Sequence, residues 1–198
     1  MLPEMRAQAD RLIVDVANTK YLAASLAEGD IDRLCPATGW TVRQTLGHLA
    51  LMLEFHADGL PGLSGVAPPG PGSVPDWDSI NAAMAGQTAH MPLPEIHANL
   101  VRGRDRCIEG FLDLTMLQLG REIVPGVDLL AVLKTWDRHF AIHAIDLADA
   151  LPALRRDPLV LNWVLHADYR RDPGRLARQQ ALAAEARERL AEEEDHAP

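Results

Sequence analysis

Three histidines in this chain are spaced for metal chemistry. His139 and His143 lie in the run Trp136-Asp137-Arg138-His139-Phe140-Ala141-Ile142-His143-Ala144-Ile145-Asp146-Leu147. At i and i+4 on a helix, two side chains stack on one face, about 5–6 Å apart at Cβ. Two imidazoles placed that way can share one divalent ion. His48, in Trp40-Thr41-Val42-Arg43-Gln44-Thr45-Leu46-Gly47-His48-Leu49, would add a third nitrogen from a neighbouring helix. Three protein ligands and an open position describe a catalytic metal site rather than a closed structural one. The competing expectation is a core histidine with a single hydrogen bond. It weighs most for His48 taken alone. It weighs less for the His139/His143 pair, because two buried imidazoles would each need a partner.

Other chemistries fail on particular residues. A zincin needs H-E-x-x-H, with the glutamate as general base; here Phe140 follows His139. A di-iron bundle needs Glu-x-x-His motifs, and the segment around His139 and His143 has no glutamate. There is no Walker loop, no G-x-G-x-x-G and no G-x-S-x-G elbow. Asp146 lies three residues beyond His143. Either it orients a ligand imidazole through the other ring nitrogen, or it stands at the mouth of the site or pairs with an arginine. Glu54, His56 and Asp58 read as a solvated helix end. His90, His97, His166 and His196 have no partner at ligand spacing. Trp40 and Trp136 read as core anchors, with Trp136 alternatively walling a pocket. No catalytic residue is assigned.

Helices must position these groups, because helical periodicity dominates and no alternating strand pattern stands out. The first helix is expected from Pro3 to about Glu28, with Met5, Leu12, Ile13, Val16 and Leu26 inward. Thr41 starts the second. Thr41 and Gln44 have the spacing of a capping box, which satisfies two orphan backbone donors. Val42, Leu46, Leu49 and Leu53 form one apolar stripe, with His48, Met52 and Phe55 beside it. From Gly59 to Asp76 the density of glycine and proline predicts a loop. That loop is either a lid over the site or a plain connector. A short helix is expected from Asp78 to about Gln87. A third long helix should run from near Pro94 to about Leu119, with Ile96, Leu100, Cys107, Ile108, Phe111 and Leu112 inward.

Pro125-Gly126 breaks the chain, and Asp128 is a plausible N-cap. The fourth helix carries the clearest stripe: Leu129, Leu133, Trp136, Phe140, His143, Leu147 and Leu151. Pro152 ends it. A short segment from Leu159 to Tyr169 and a last helix opened by Asp172-Pro173 follow, ending in a frayed acidic tail. Four long helices predict an all-α four-helix bundle with extra C-terminal helices packed outside. The expected division is a bundle over 1–151 and a C-terminal helical extension over 152–198.

Composition excludes several classes. At 198 residues and 47% hydrophobic, the chain can bury a real core. A net charge of −9 argues against nucleic acid, which needs a basic surface. No apolar run is long enough to cross a bilayer, and the N-terminus lacks a signal-peptide core. Two cysteines, Cys35 and Cys107, are too few for a disulfide framework. The expectation is a reduced, cytoplasmic protein whose cysteines act as small buried hydrophobes.

The pairing of W-T-V-R-x-x-x-x-H-L with a later H-x-x-x-H-x-x-D-L-A-x-A-L resembles the DinB-like superfamily of metal-binding bundles. Within it, the chain is most similar to the metal-binding N-terminal domain of mycothiol-dependent maleylpyruvate isomerases. The resemblance spans roughly Met1 to Leu151. Carried over by position, it assigns the metal ligands to His48, His139 and His143. It implies an up-down-down-up bundle, a bound divalent ion (zinc or nickel foremost) and a homodimer. It also implies chemistry on a low-molecular-weight thiol and an electrophilic substrate, by S-transfer or isomerisation of a thiol adduct. The isomerase branch usually has glutamate where this chain has His139, so the ligand set is similar to the three-histidine DinB type. The alternative function is a non-catalytic metal-binding bundle with a stress-response or sensing role.

Overall fold

The structure, a computed structural model, describes residues 1–27, 29–65, 77–166 and 172–195. Its long helices are α1 (Pro3–Ser25), α2 (Val42–Gly65), α4 (Leu93–Leu112) and α6 (Leu129–Ala150). Shorter α3 (Trp77–Thr88) and α5 (Met116–Leu119) precede a two-stranded hairpin, β1 (Glu122–Val124) with β2 (Val127–Asp128). A 3-10 turn over Pro152–Arg156 leads to α7 (Pro158–His166) and α8 (Pro173–Asp195). The architecture is the all-α bundle expected, with further helices at its C-terminal end. Its interior is one apolar cluster drawn from all four long helices, including Leu12, Leu53, Leu100, Phe111, Trp136 and Phe140.

The helix starts are those the residue types dictate. The Thr41 backbone N–H donates to Gln44 Oε1 at 2.8 Å, and the Gln44 N–H donates to Thr41 Oγ1 at 3.1 Å. This reciprocal pair is the capping box. Asp128 caps α6, its Oδ1 accepting from the Ala131 N–H at 2.7 Å. Every residue of the α6 stripe, from Leu129 to Leu151, is buried.

Several boundaries differ from the sequence expectation. The α1 helix stops at Ser25, short of Glu28. Ile13 is 43% exposed, because the inward face of α1 runs through Gln8, Ala9 and Thr19 instead. The third long helix ends at Leu112, itself exposed, and Thr115 opens the separate α5 with its own capping box. The hairpin is a strand pair that the periodicity did not show. It is too short for alternation to register, and it turns at Gly126, whose φ of 78° suits glycine.

The predicted Gly59–Asp76 loop is also corrected in part. Helix α2 continues through Pro61 to Gly65. Tertiary packing overrides the local preference here. Leu60 is buried and lies so close to Gly110 that a β-carbon there would meet Leu60 Cδ2 at 2.5 Å. The remainder, 66–76, lies outside the described residues, whereas the acidic end 191–195, expected to fray, continues as the last part of α8.

Helices α2 and α4 cross closely at a second glycine. A β-carbon on Gly103 would stand 2.7 Å from Leu53 Cβ and 3.1 Å from the Glu54 backbone nitrogen. Ion pairs reinforce this crossing. Arg102 Nε meets Glu54 Oε1 at 2.6 Å, and Arg106 pairs with both Glu54 and Asp58. Glu54 and Asp58 are therefore clamps between two helices rather than a plain solvated end.

Candidate metal centre

The bundle brings the three spaced histidines together. His48 is carried by α2, close to its capped start. His139 and His143 are one turn apart on α6. Their candidate ligand atoms all lie within 4.8 Å of one another. His48 Nε2 and His139 Nε2 are 2.8 Å apart. His48 is fully buried and His143 is 4% exposed; His139 is partly exposed and forms the solvent side of the group.

A hooked turn ahead of α2 supplies the wall. Gly39, with φ of 69°, bends the chain, and the Cys35 N–H donates to the Trp40 carbonyl at 2.7 Å. The indole of Trp40 then sits 5.0 Å from the His48 ring and 6.1 Å, stacked, from the His143 ring. Trp40 is half-buried and borders the histidines directly; unlike Trp136 it is not part of the apolar core cluster, so the expectation of a core anchor holds for Trp136 alone.

Asp146 contacts both an imidazole and an arginine and, being buried, does not stand at the mouth of the site. Its Oδ2 is 2.9 Å from His143 Nδ1 and also accepts from Arg175 Nη2 at 2.8 Å. Asp146 is fully buried. Burial alone would raise its pKa. The hydrogen bonds from His143 and Arg175 outweigh that and hold the carboxyl below its ordinary value. A carboxylate at Nδ1 leaves Nε2 of His143 free to face His48 and His139.

The donor set suits a divalent ion. Burial, reinforced by His143 and His56, pushes the His48 pKa down to about 3. Burial and the neighbouring imidazoles hold His139 well below its ordinary value. Both rings are therefore neutral, the form that ligates metal. Three imidazoles meeting through nitrogens crowd more ring nitrogens together than the one hydrogen bond between His48 and His139 joins. Two nitrogens on one tetrahedral zinc lie about 3.4 Å apart, so the 2.8 Å pair would open slightly and the widest spacing, at most 4.8 Å, would close by about 1.4 Å. Among the described residues His48 Nδ1 is buried with no hydrogen-bond partner, whereas His143 Nδ1 meets the Asp146 carboxylate.

His56, expected at a solvated helix end, is instead half-buried and stacked on Trp136 at 4.4 Å with 10° between the planes. Burial pushes its pKa down to about 4, and it in turn depresses His48 and His139. The signal was its position, eight residues after His48 and so on the same face of α2. The other missed residue is Arg175, on a helix remote in sequence. Its trace was the matched spacing of Asp146/Asp149 with Arg175/Arg178. Of the remaining histidines, His97 lies in a surface cavity between α1 and α4 with Lys20 and Arg102, away from the cluster.

The two cysteines are buried and unpaired. Burial raises Cys35 to about 11 and Cys107 to about 12. Cys35 Sγ contacts Thr45 Oγ1 at 3.4 Å, and Cys107 donates to the Leu53 carbonyl at 3.3 Å. Neither is a thiolate near neutral pH, as expected of small buried hydrophobes.

Residues 16–148 match the family described as the mycothiol maleylpyruvate isomerase N-terminal domain. Among solved structures, the chain is similar to a mycothiol-dependent maleylpyruvate isomerase carrying a histidine-to-alanine substitution. The TM-score is 0.58 at 12% identity, over 83% of this chain and 68% of that one. That likeness establishes the fold. No curated protein matches the chain. Among the described residues, no helix is long and apolar enough to cross a membrane.

Proposed function

The chain belongs to the mycothiol maleylpyruvate isomerase N-terminal domain family, and from that premise we propose that it is a metal-dependent enzyme of low-molecular-weight thiol chemistry. The reading covers a thiol S-transferase or a mycothiol-dependent isomerase. One observation carries it: His48, His139 and His143 converge, largely buried, in a chain of this family.

In this reading His48, His139 and His143 hold one divalent ion, with zinc or nickel the best fits to an all-imidazole set. A divalent ion there would lower the pKa of a bound thiol or water and so supply a nucleophile at neutral pH. The chain's own residues do the rest. Asp146 orients His143. Trp40 covers the histidines from one side and excludes water. His139, the partly exposed ligand, marks the side from which a small molecule enters. Cys35 and Cys107 stay protonated, so the reacting thiol must be supplied by a bound small molecule, with an electrophile as its partner.

The division into 1–151 and 152–198 is part of the same proposal, with the second part as a support for the bundle. Trp163 Nε1 donates to Asp15 Oδ1 at 2.8 Å, tying α7 to α1. The unpaired thiols suit a reducing cytoplasm. Exposed Val14 and Tyr21 on α1 offer a surface for a homodimer.

The test is thiol consumption. Metal-loaded protein, a low-molecular-weight thiol and a panel of electrophiles should show faster thiol loss than the same mixture without protein. Equal loss across the panel refutes an enzymatic role. The burial of His48 and His143 favours a second reading, a metal-binding sensor or stress-response bundle without turnover. Metal binding with no thiol loss is its expected result.

A further inference from the structure

Asp146 is held from outside the bundle. Arg175, near the start of α8, grips it side-on: Nη2 to Oδ2 at 2.8 Å and Nε to Oδ1 at 3.3 Å. Arg175 is itself fixed at both ends. Its backbone N–H donates to Asp172 Oδ1 at 2.9 Å, and its Nη1 donates to Asp172 Oδ2 at 2.7 Å. Asp172 thus serves the first turn of α8 and also fixes the guanidinium. One turn further along, Arg178 Nε lies 2.9 Å from Asp149 Oδ2. Two carboxylates three apart on α6 therefore face two arginines three apart on α8. The match sets the register of α8 on α6.

Only the first of these pairs leads to the histidines. Asp146 Oδ2 accepts from Arg175 and from His143 Nδ1 together. A buried carboxylate with a single partner is free to rotate about its χ2. One gripped by a planar fork is not, because both oxygens are fixed in the plane of the guanidinium. The fixed oxygen then sets the plane of the His143 ring and the nitrogen that carries its hydrogen. A carboxylate behind a ligating histidine commonly serves this purpose. Here the carboxylate is in turn set by a helix lying outside the bundle.

We infer that Arg175 is a positioning residue of the histidine cluster, through which α8 fixes Asp146 and thereby the ring orientation and tautomer of His143. The role of α8 is then more than cover for the bundle. By linkage, a ligand that favours the ordered His143 also favours docked α8, and the reverse. The metal part of this inference rests on the reading of the three histidines as ligands; the orientation of His143 does not.

The experiment compares Arg175→Met with Arg178→Met in the full chain. Methionine keeps an apolar stem at each position. Each change removes one ion pair between α8 and α6; because Asp149 keeps Arg155 at 3.7 Å, the tautomer of His143 is the readout that a merely structural role would not move. The first readout is imidazole nitrogen NMR on metal-free protein. Wild type and Arg178→Met should show His143 as the Nδ1–H tautomer; Arg175→Met should show a mixture. The second is zinc affinity by chelator competition. Arg175→Met should weaken it by about 10–100-fold, the usual loss when a partner behind a ligand is removed. Arg178→Met should stay within about fivefold, as fits a partly exposed pair. Arg175→Lys, with one point charge in place of the fork, should fall between. An unchanged tautomer in Arg175→Met overturns the inference, as does equal weakening in the two methionine variants. Zinc binding by none of the proteins, with the tautomer changing as stated, refutes the metal reading and upholds the positioning role.

Discussion

Acid should destabilise this protein well above the range where carboxylates titrate, and the buried histidines set the size of the effect. His48 and His56 have folded pKa values of about 3 and about 4, against an ordinary value of 6.5. Both are depressed chiefly by burial. Below pH 6.5 the unfolded chain binds a proton on each ring while the folded chain does not. Stability therefore rises with pH through this window and falls as the pH drops. The slope is about 1.4 kcal/mol per pH unit for each group. From pH 6.5 to 5, His48 alone should remove about 2 kcal/mol. His56 is half-buried and contributes somewhat less, for a joint loss of about 3–4 kcal/mol. His139 acts in the same direction. That is a large part of the stability of an ordinary domain, about 5–15 kcal/mol.

The assay is urea unfolding of chelator-treated protein at pH 7, 6 and 5, followed by helical circular dichroism. His56→Phe is the matched control, because it keeps a ring on Trp136 but cannot titrate. It should reduce the acid loss by about 1–2 kcal/mol. Stability that is flat or rising from pH 7 to 5 refutes the reasoning. So does a His56→Phe variant with the full wild-type loss.

Two further predictions follow from local geometry. Gly103→Ala should lower stability by about 1–3 kcal/mol, because its β-carbon overlaps Leu53 and the backbone at Glu54; the same urea titration checks it, and an unchanged midpoint contradicts the close α2–α4 crossing. Thr41→Ala should lower stability by about 1 kcal/mol through loss of the capping box, with thermal unfolding as the measure and an unchanged transition as the adverse result.

Much of this fold was legible wherever the signal is local. Thr41 and Gln44 announced the start of α2, and Asp128 that of α6. The stripe from Leu129 to Leu151 gave the buried face of α6 residue by residue. The i, i+4 spacing of His139 and His143 gave half of the candidate site, and His48 followed from the resemblance as well as from its own helix. What escaped was decided by contacts remote in sequence. Leu60 held helix through Pro61 by packing at Gly110, against every local preference. His56 was read as solvated because nothing near it in sequence reveals Trp136 stacked on its ring. The arginine partner of Asp146 was foreseen as a type of residue but not as Arg175, since docking of α8 on α6 places it there. The hairpin was missed because two strands of so few residues carry no period.

Metal content bears most directly on the three-histidine centre. Untagged protein and a His139→Ala/His143→Ala double variant are purified side by side and analysed by elemental mass spectrometry. The expected result is about one divalent ion per chain, as for a single three-histidine site, and none in the variant. Wild-type protein that stays free of metal after incubation with zinc and nickel, or a variant that retains it, contradicts the assignment.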